Sequence, residues 1–200
     1  AERSPAMVDV FAEFPENPAL IPRCQLALWL ACEAGDPHAA VKALVDGASV
    51  TARNRMGWNA LHRACMTGDE NVVRALLVSD GVEQALCAAD TEGYTPLHIA
   101  AGSAHPRVVQ RLLDAGASPA AASKQHFTPM HTACRALGET AASQPLLPER
   151  EELLFGVLLA LLSGGGLLES TDVNGAAAAE ALTHQQRGRL LERIRAGHRA

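Results

Sequence analysis

Three stretches of this chain superimpose without gaps, and that self-similarity limits the fold more than any bulk property does. They are Gly57-Trp-Asn-Ala-Leu-His-Arg-Ala-Cys65, Gly93-Tyr-Thr-Pro-Leu-His-Ile-Ala-Ala101 and His126-Phe-Thr-Pro-Met-His-Thr-Ala-Cys134. Each is followed by a second apolar stripe at helical spacing and then a glycine: Val72, Val73, Leu76, Leu77 and Gly81; Val108, Val109, Leu112, Leu113 and Gly116; Val157, Leu158, Leu161, Leu162 and Gly165. The block histidines His62, His98 and His131 stand 36 and 33 residues apart. Such a period predicts a linear array of helix pairs, each burying its apolar face on its neighbours. Composition agrees: 48% of the 200 residues are apolar but only 4% aromatic. Alanine and leucine suit closely packed helices, whereas strands call for β-branched and aromatic residues.

The residues inside the blocks have individual reasons. Thr95, Thr128 and Asn59 stand where a side-chain oxygen can cap the first helix. Pro96 and Pro129 then fall at the first helical position, where no backbone donor is missed. Ala64, Ala100 and Ala133 allow close helix approach. Gly35, Gly68 and Gly138 are expected to end first helices in the left-handed conformation, with Ala104 departing from that pattern. Gly57, Gly93 and Gly175 lie where a tight turn wants positive φ; His126 replaces glycine there, which predicts a distorted turn.

The pattern strongly resembles the ankyrin repeat, a unit of a β-turn and two antiparallel helices about 33 residues long. Two weaker copies extend it. Leu28-Trp-Leu-Ala-Cys32, ahead of Ala40, Val41, Leu44, Val45 and Gly47, has Trp29 in the histidine's place; Gly175 to Leu182, ahead of Leu190, Leu191 and Ile194, has Ala177-Ala-Ala-Glu180 for the tetrapeptide. The resemblance implies an all-α ankyrin-repeat solenoid of five repeats, the first and last degenerate. Its divisions are 1–20, an N-terminal capping segment or linker, then repeats at 21–53, 54–89, 90–122, 123–171 and 172–200. Met7, Val8, Val10, Phe11 and Phe14 supply an apolar face for the capping role. About three extra residues between Gly81 and Asp90 lengthen one hairpin loop. A larger insertion, 138–152, reads as a polar, proline-broken loop, either a surface excursion or a contact made through Leu146 and Leu147.

Function is read against the repeat frame. His62 with Cys65 and His131 with Cys134 suggest halves of a zinc site, but they belong to repeats expected ~20 Å apart at one helix spacing per repeat. Bonds of ~2 Å cannot span that, so no metal and no cofactor are expected. His62, His98 and His131, with Thr95, Pro96, Thr128 and Pro129, are read as structural motif residues. No nucleophile elbow, phosphate loop or oriented Cys–His pair is recognisable, so the chain is read as non-catalytic, with no small-molecule substrate.

The aromatic residues carry the functional reading. Three of seven, Trp58, Tyr94 and Phe127, share one repeat position, directly after the turn glycine or its substitute. The resemblance makes this a partner-contact position facing a concave groove. It adds Arg55, Met56, Thr91, Glu92, Lys124 and Gln125 on the turn fingers, and Met66, Thr67, Gly102, Ser103, Arg135 and Ala136 on the first helices. The alternative is that the rings only pack between fingers. The expected partner is therefore a protein of unknown identity, and the chain a monomeric regulatory or adaptor protein. A second expectation is the targeting part of a larger enzyme or ubiquitin-ligase subunit, although no F-box-like or SOCS-box-like tail is recognisable. The chain opens on Ala1 rather than methionine, as a processed chain or a piece of a longer product would.

Charge and hydropathy narrow the rest. A net charge of -5 argues against nucleic acid as the main partner, and the basic run from Arg187 to Arg199 is read as a solvated capping face. The most apolar run, Leu153 to Leu162, is about half of the ~20 residues that span a bilayer. Five cysteines and no recognisable signal peptide point to an intracellular protein, cytoplasmic or nuclear.

Overall fold

The computed structural model describes residues 22–143 and 148–197, without the side chains of 139–143, 148 and 197. It is an all-α repeat architecture, as the period predicts. Its helices are α1 (Arg23–Ala34), α2 (Pro37–Val45), α3 (Ala60–Thr67), α4 (Glu70–Leu77), α5 (Val82–Cys87), α6 (Pro96–Gly102), α7 (Pro106–Asp114), α8 (Pro129–Ser143), α9 (Pro148–Ser163) and α10 (His184–Gly197). Among the described residues the only β-type pairing is an isolated antiparallel bridge between Thr171 and Ala177. No described helix is long and apolar enough to cross a membrane. The chain divides into two compact units at the start of α6.

In the first unit α1 packs on α2 and α3, and α4 packs on α2 and α3. The helices are short, so their ends need explicit partners. Asp36 and Asp69 each accept two backbone N–H bonds at the N-termini of α2 and α4. Gly35 and Gly68 close α1 and α3 at φ 68° and 80°. Ala64, expected at a close helix approach, is fully buried, as are Ala40, Ala60, Leu28, Leu61 and Leu76. Trp29, in the histidine's place, is a core residue packed by Leu26, Leu30 and Trp58, with the Arg63 guanidinium 5.8 Å from its ring centre. Gln25 ties the end of this pair together, donating to Ser49 O (3.0 Å) and accepting from Ser49 N (2.8 Å). The residues after Gly81 do not lengthen a loop. They form α5, which buries Ala85 and Leu86.

In the second unit α9 packs on α7 and α8, and α8 packs on the 3₁₀ turn Ala178–Ala181. That turn is all that Ala177-Ala-Ala-Glu180 builds of a first helix. The insertion is corrected too: α8 runs on to Ser143 and α9 begins at Pro148, so the surplus lengthens two helices. Alanine-rich sequence continues α8, and Pro148 fits a first helical turn. Leu146 and Leu147 lie outside the described residues, as does the segment 1–20. Gly138 does not terminate its helix. It sits inside α8 because a Cβ there would collide with the Ala181 carbonyl oxygen. The basic C-terminal helix is paired rather than merely solvated. Arg189 meets Glu151 at 3.1 Å, Arg193 meets Glu152 at 2.6 Å, and Arg193 also lies 4.9 Å from the Phe155 ring centre.

Two residues without glycine's freedom keep glycine's backbone: Ala104 at φ 64° and His126 at φ 59°. The His126 turn is not distorted, since its N–H reaches Ser123 O at 2.9 Å just as Gly57 N reaches Asn54 O at 2.9 Å. Left-handed backbone with a Cβ costs about 1 kcal/mol. Ala104→Gly and His126→Gly should therefore each stabilise the protein by about 0.5–1 kcal/mol in urea unfolding. Gly138→Ala should destabilise it by ~1–3 kcal/mol through the clash. Equal midpoints for all three variants would contradict this accounting.

Candidate protein-binding fingers

Four turns share one construction, and each begins with a short polar side chain. Asn54 Oδ1 accepts from Met56 N (3.0 Å) and Trp58 N (2.9 Å). Asp90 Oδ1 accepts from Glu92 N (2.9 Å) and Tyr94 N (2.8 Å). Ser123 Oγ accepts from Gln125 N (3.3 Å) and Phe127 N (3.1 Å). Asp172 Oδ1 accepts from Asn174 N (2.8 Å) and Ala176 N (3.0 Å). The backbone closes each loop in turn, with Asn54 N to Trp58 O, Asp90 N to Tyr94 O, Ser123 N to Phe127 O and Asp172 N to Ala176 O at 2.8–3.0 Å. These four base residues escaped sequence reasoning. Their signal is positional: each lies four residues before the ring position.

Neighbouring fingers within a unit are joined by one backbone bond: Thr91 N to Met56 O (2.9 Å) in the first, Val173 N to Gln125 O (3.2 Å) in the second. The motif histidines add a second tie. Asn59 N donates to His62 Nδ1 (3.2 Å) while Asn59 Oδ1 accepts from His62 N (3.1 Å), a reciprocal cap. His62 Nε2 then donates to Tyr94 O (3.1 Å), and His98 Nε2 donates to Phe127 O (2.8 Å). Thr128 N donates to His131 Nδ1 (3.1 Å), but His131 Nε2, buried, has no hydrogen-bond partner. Burial holds the His131 pKa below the usual histidine value, against the nearby Ala176 and Ser170 carbonyls and the Asp172 carboxylate, which act the other way. Burial likewise pushes the Cys32 and Cys134 thiols up to about 12 and raises that of Cys65, so these thiols stay protonated and unreactive.

The three rings are half-buried, neither core nor free. Trp58 stacks on His62 with centroids 5.9 Å apart, and its indole N–H donates to Asp90 Oδ2 at 3.1 Å. Phe127 lies 5.6 Å from the His131 ring on one side, and the Arg135 guanidinium lies 5.6 Å from its centre. Arg55, Met56, Thr91, Glu92, Lys124 and Gln125 are exposed at the fingertips, as are Met66 and Arg135 on the helices; Ser103 is intermediate. Thr67 is exposed, but its hydroxyl is engaged with Cys32 O (3.2 Å) and Ala64 O (3.1 Å), which ties α3 to α1. Thr95, Pro96, Thr128 and Pro129 are buried at the helix starts.

Repeated caps, fingers and histidine ties define a repeat scaffold whose variable side chains stand on the turns. A family model for ankyrin repeats (3 copies) matches residues 6–86 and 79–153, and the chain belongs to the ankyrin-repeat family. It is similar to ankyrin repeat and SOCS box protein 3 of Bos taurus, 32% identical over 101 residues, 50% of this chain and 19% of that protein. The Homo sapiens counterpart is 33% identical over 101 residues, 50% of this chain and 20% of that protein. A third relative is the transient receptor potential cation channel subfamily A member 1 of Drosophila melanogaster, 30% identical over 102 residues, 50% of this chain and 8% of the channel. The match thus spans a fifth or less of each of these relatives.

The Asp90 carboxylate serves two fingers at once, bonding its own turn and the indole of the one before. Asp90→Ala should cost ~2 kcal/mol, because three donors lose their acceptor, and should shift Trp58 fluorescence to the red. Asp90→Asn keeps a carbonyl oxygen for the turn and should cost less than half as much. Equal losses in the two variants would contradict the assigned bonds.

Proposed function

We propose that this chain is a non-catalytic interaction module that binds a partner protein through its fingers. The observation that carries this reading is the repeated half-buried ring, rimmed by exposed polar fingertips. In the first unit Trp58 and Tyr94 are flanked by Arg55, Met56, Thr91 and Glu92; in the second, Phe127 is flanked by Lys124, Gln125 and Arg135. Aromatic anchors with apolar bodies and polar surroundings are the usual centres of binding energy in protein interfaces. Regulatory or adaptor work follows from such binding.

A second reading is favoured by the two relatives whose names include a SOCS box. In it the chain is the substrate-targeting part of a larger ubiquitin-ligase subunit. Co-purification of ligase components with the full-length product, but not with these 200 residues alone, would support it.

The test of binding records partner capture from cell extract and thermal melting on the same samples. Trp58→Ala, Tyr94→Ala and Phe127→Ala together should weaken capture at least about a hundredfold, since hot-spot truncations cost ~2 kcal/mol each. Some stability should also be lost, because Trp58 packs on Trp29 and bonds to Asp90. Met56→Glu with Lys124→Glu alters only exposed fingertips, so it should weaken capture with no change in melting temperature. A fingertip variant that captures the partner undiminished, together with a folded triple mutant that does the same, would refute the reading.

A further inference from the structure

The repeated construction is broken at one place. Trp58, Tyr94 and Phe127 occupy the ring position of three fingers, and the fourth finger has Ala176. Beside it lies a cavity of ≈ 260 Å³, with Phe127, Ala176, Ala178 and Ala181 among its apolar lining. An apolar cavity of about 150 Å³ is enough to hold benzene, so this one has room for an indole. The His131 ring forms part of the same wall, is 6% exposed, and is the motif histidine whose Nε2 finds no acceptor. In the first unit His62 Nε2 reaches the carbonyl of Tyr94, a ring-bearing residue. Thr128 N donates to Nδ1 of His131, so in the neutral ring the proton sits on Nε2, a donor left over. The space lies where position 176 carries no ring, and the unpaired His131 Nε2 sits in its wall, with the Ala176 and Ser170 carbonyls nearby but not in hydrogen-bond geometry.

The rim adds charge. Arg135 is already over Phe127, while Asp172 and Glu180 are the acidic residues of the lining. The geometry points to a pocket for one aromatic side chain of a partner protein, carried next to a basic residue. The ring takes the place left empty beside Phe127, and the neighbouring cation meets the carboxylates of Asp172 and Glu180. With a ring packed over the alanines, the Ala176 carbonyl closes on His131 Nε2 as the Tyr94 carbonyl does on His62. This inference rests on the fingers being the partner-binding face and names the chemistry of one contact there.

The probe is acetyl-Trp-Arg-amide, followed by amide and imidazole NMR on the whole 200-residue chain. It should shift the amides of Phe127 and Ala176–Ala178 saturably, with the millimolar affinity expected of one ring. The His131 Nε2 proton should become protected as it does so. Acetyl-Ala-Arg-amide should shift none of these signals, and acetyl-Trp-Glu-amide should bind several-fold more weakly. Ala176→Tyr supplies the missing ring from within, so it should melt at a higher temperature and lose the probe. Glu180→Arg, an exposed change that leaves the fold alone, should reverse the preference between the arginine and glutamate probes. No saturable shift in wild type, or a preference unchanged in Glu180→Arg, would overturn the assignment. So would undiminished binding in a folded Ala176→Tyr. If Ala176→Tyr keeps full partner capture while the triple ring mutant loses it, finger binding stands and this pocket falls.

Discussion

A histidine that uses both ring nitrogens for the fold is the interaction on which the rest depends. One nitrogen accepts from the backbone at the start of its own helix, and the other donates to the carbonyl of the following finger, as His62 does between Asn59 and Tyr94. Each bond is ordinary in strength, but the first is buried and the second half-buried, and a polar group left unpaired away from water costs more than the bond is worth. The finger is thereby held at a fixed distance from the helix before it. That restraint lets short turns present half-buried rings on a surface instead of folding them into the core. His98 repeats the tie to Phe127 at 2.8 Å. His131 shows the opposite case, where the partner finger lacks a ring and the tie is not made.

Because every finger must take the same path, the backbone conformation is conserved along the chain even where the residue is not suited to it. His126 adopts φ 59° where Gly57 and Gly93 adopt 80° and 90°, and Ala104 adopts φ 64° where Gly68 adopts 80°. The array overrides local preference, at a cost of about 1 kcal/mol for each misfit. Small residues do the converse work where elements meet. Gly138 is required in the middle of α8 because the Ala181 carbonyl leaves no room for a Cβ.

What could be read from the residues alone follows the same division. The capped helix start at Asn59 and the glycine ends at Gly35 and Gly68 were legible because each depends on chemistry within a few residues. The continuation of α8 through Gly138 to Ser143 was not, because glycine and later prolines are local stop signals and packing against the 3₁₀ turn overrode them. Pro148 read as a breaker and instead opens α9. The residues at the finger bases were missed because Asn54, Asp90, Ser123 and Asp172 differ in kind while accepting the same bonds. The pocket beside Phe127 could not be read at all, since it arises from a side chain that position 176 does not have.

The tautomer of the motif histidines tests the account most directly. Long-range proton–nitrogen NMR on labelled protein at neutral pH distinguishes a ring protonated at Nε2 from one protonated at Nδ1. The histidine tie requires His62 and His98 to be neutral with the proton on Nε2, and that proton should exchange slowly because Tyr94 O and Phe127 O accept it. A proton on Nδ1 in place of Nε2 in either ring would leave Nε2 facing a carbonyl oxygen with nothing to share, and the restraint described here would not exist.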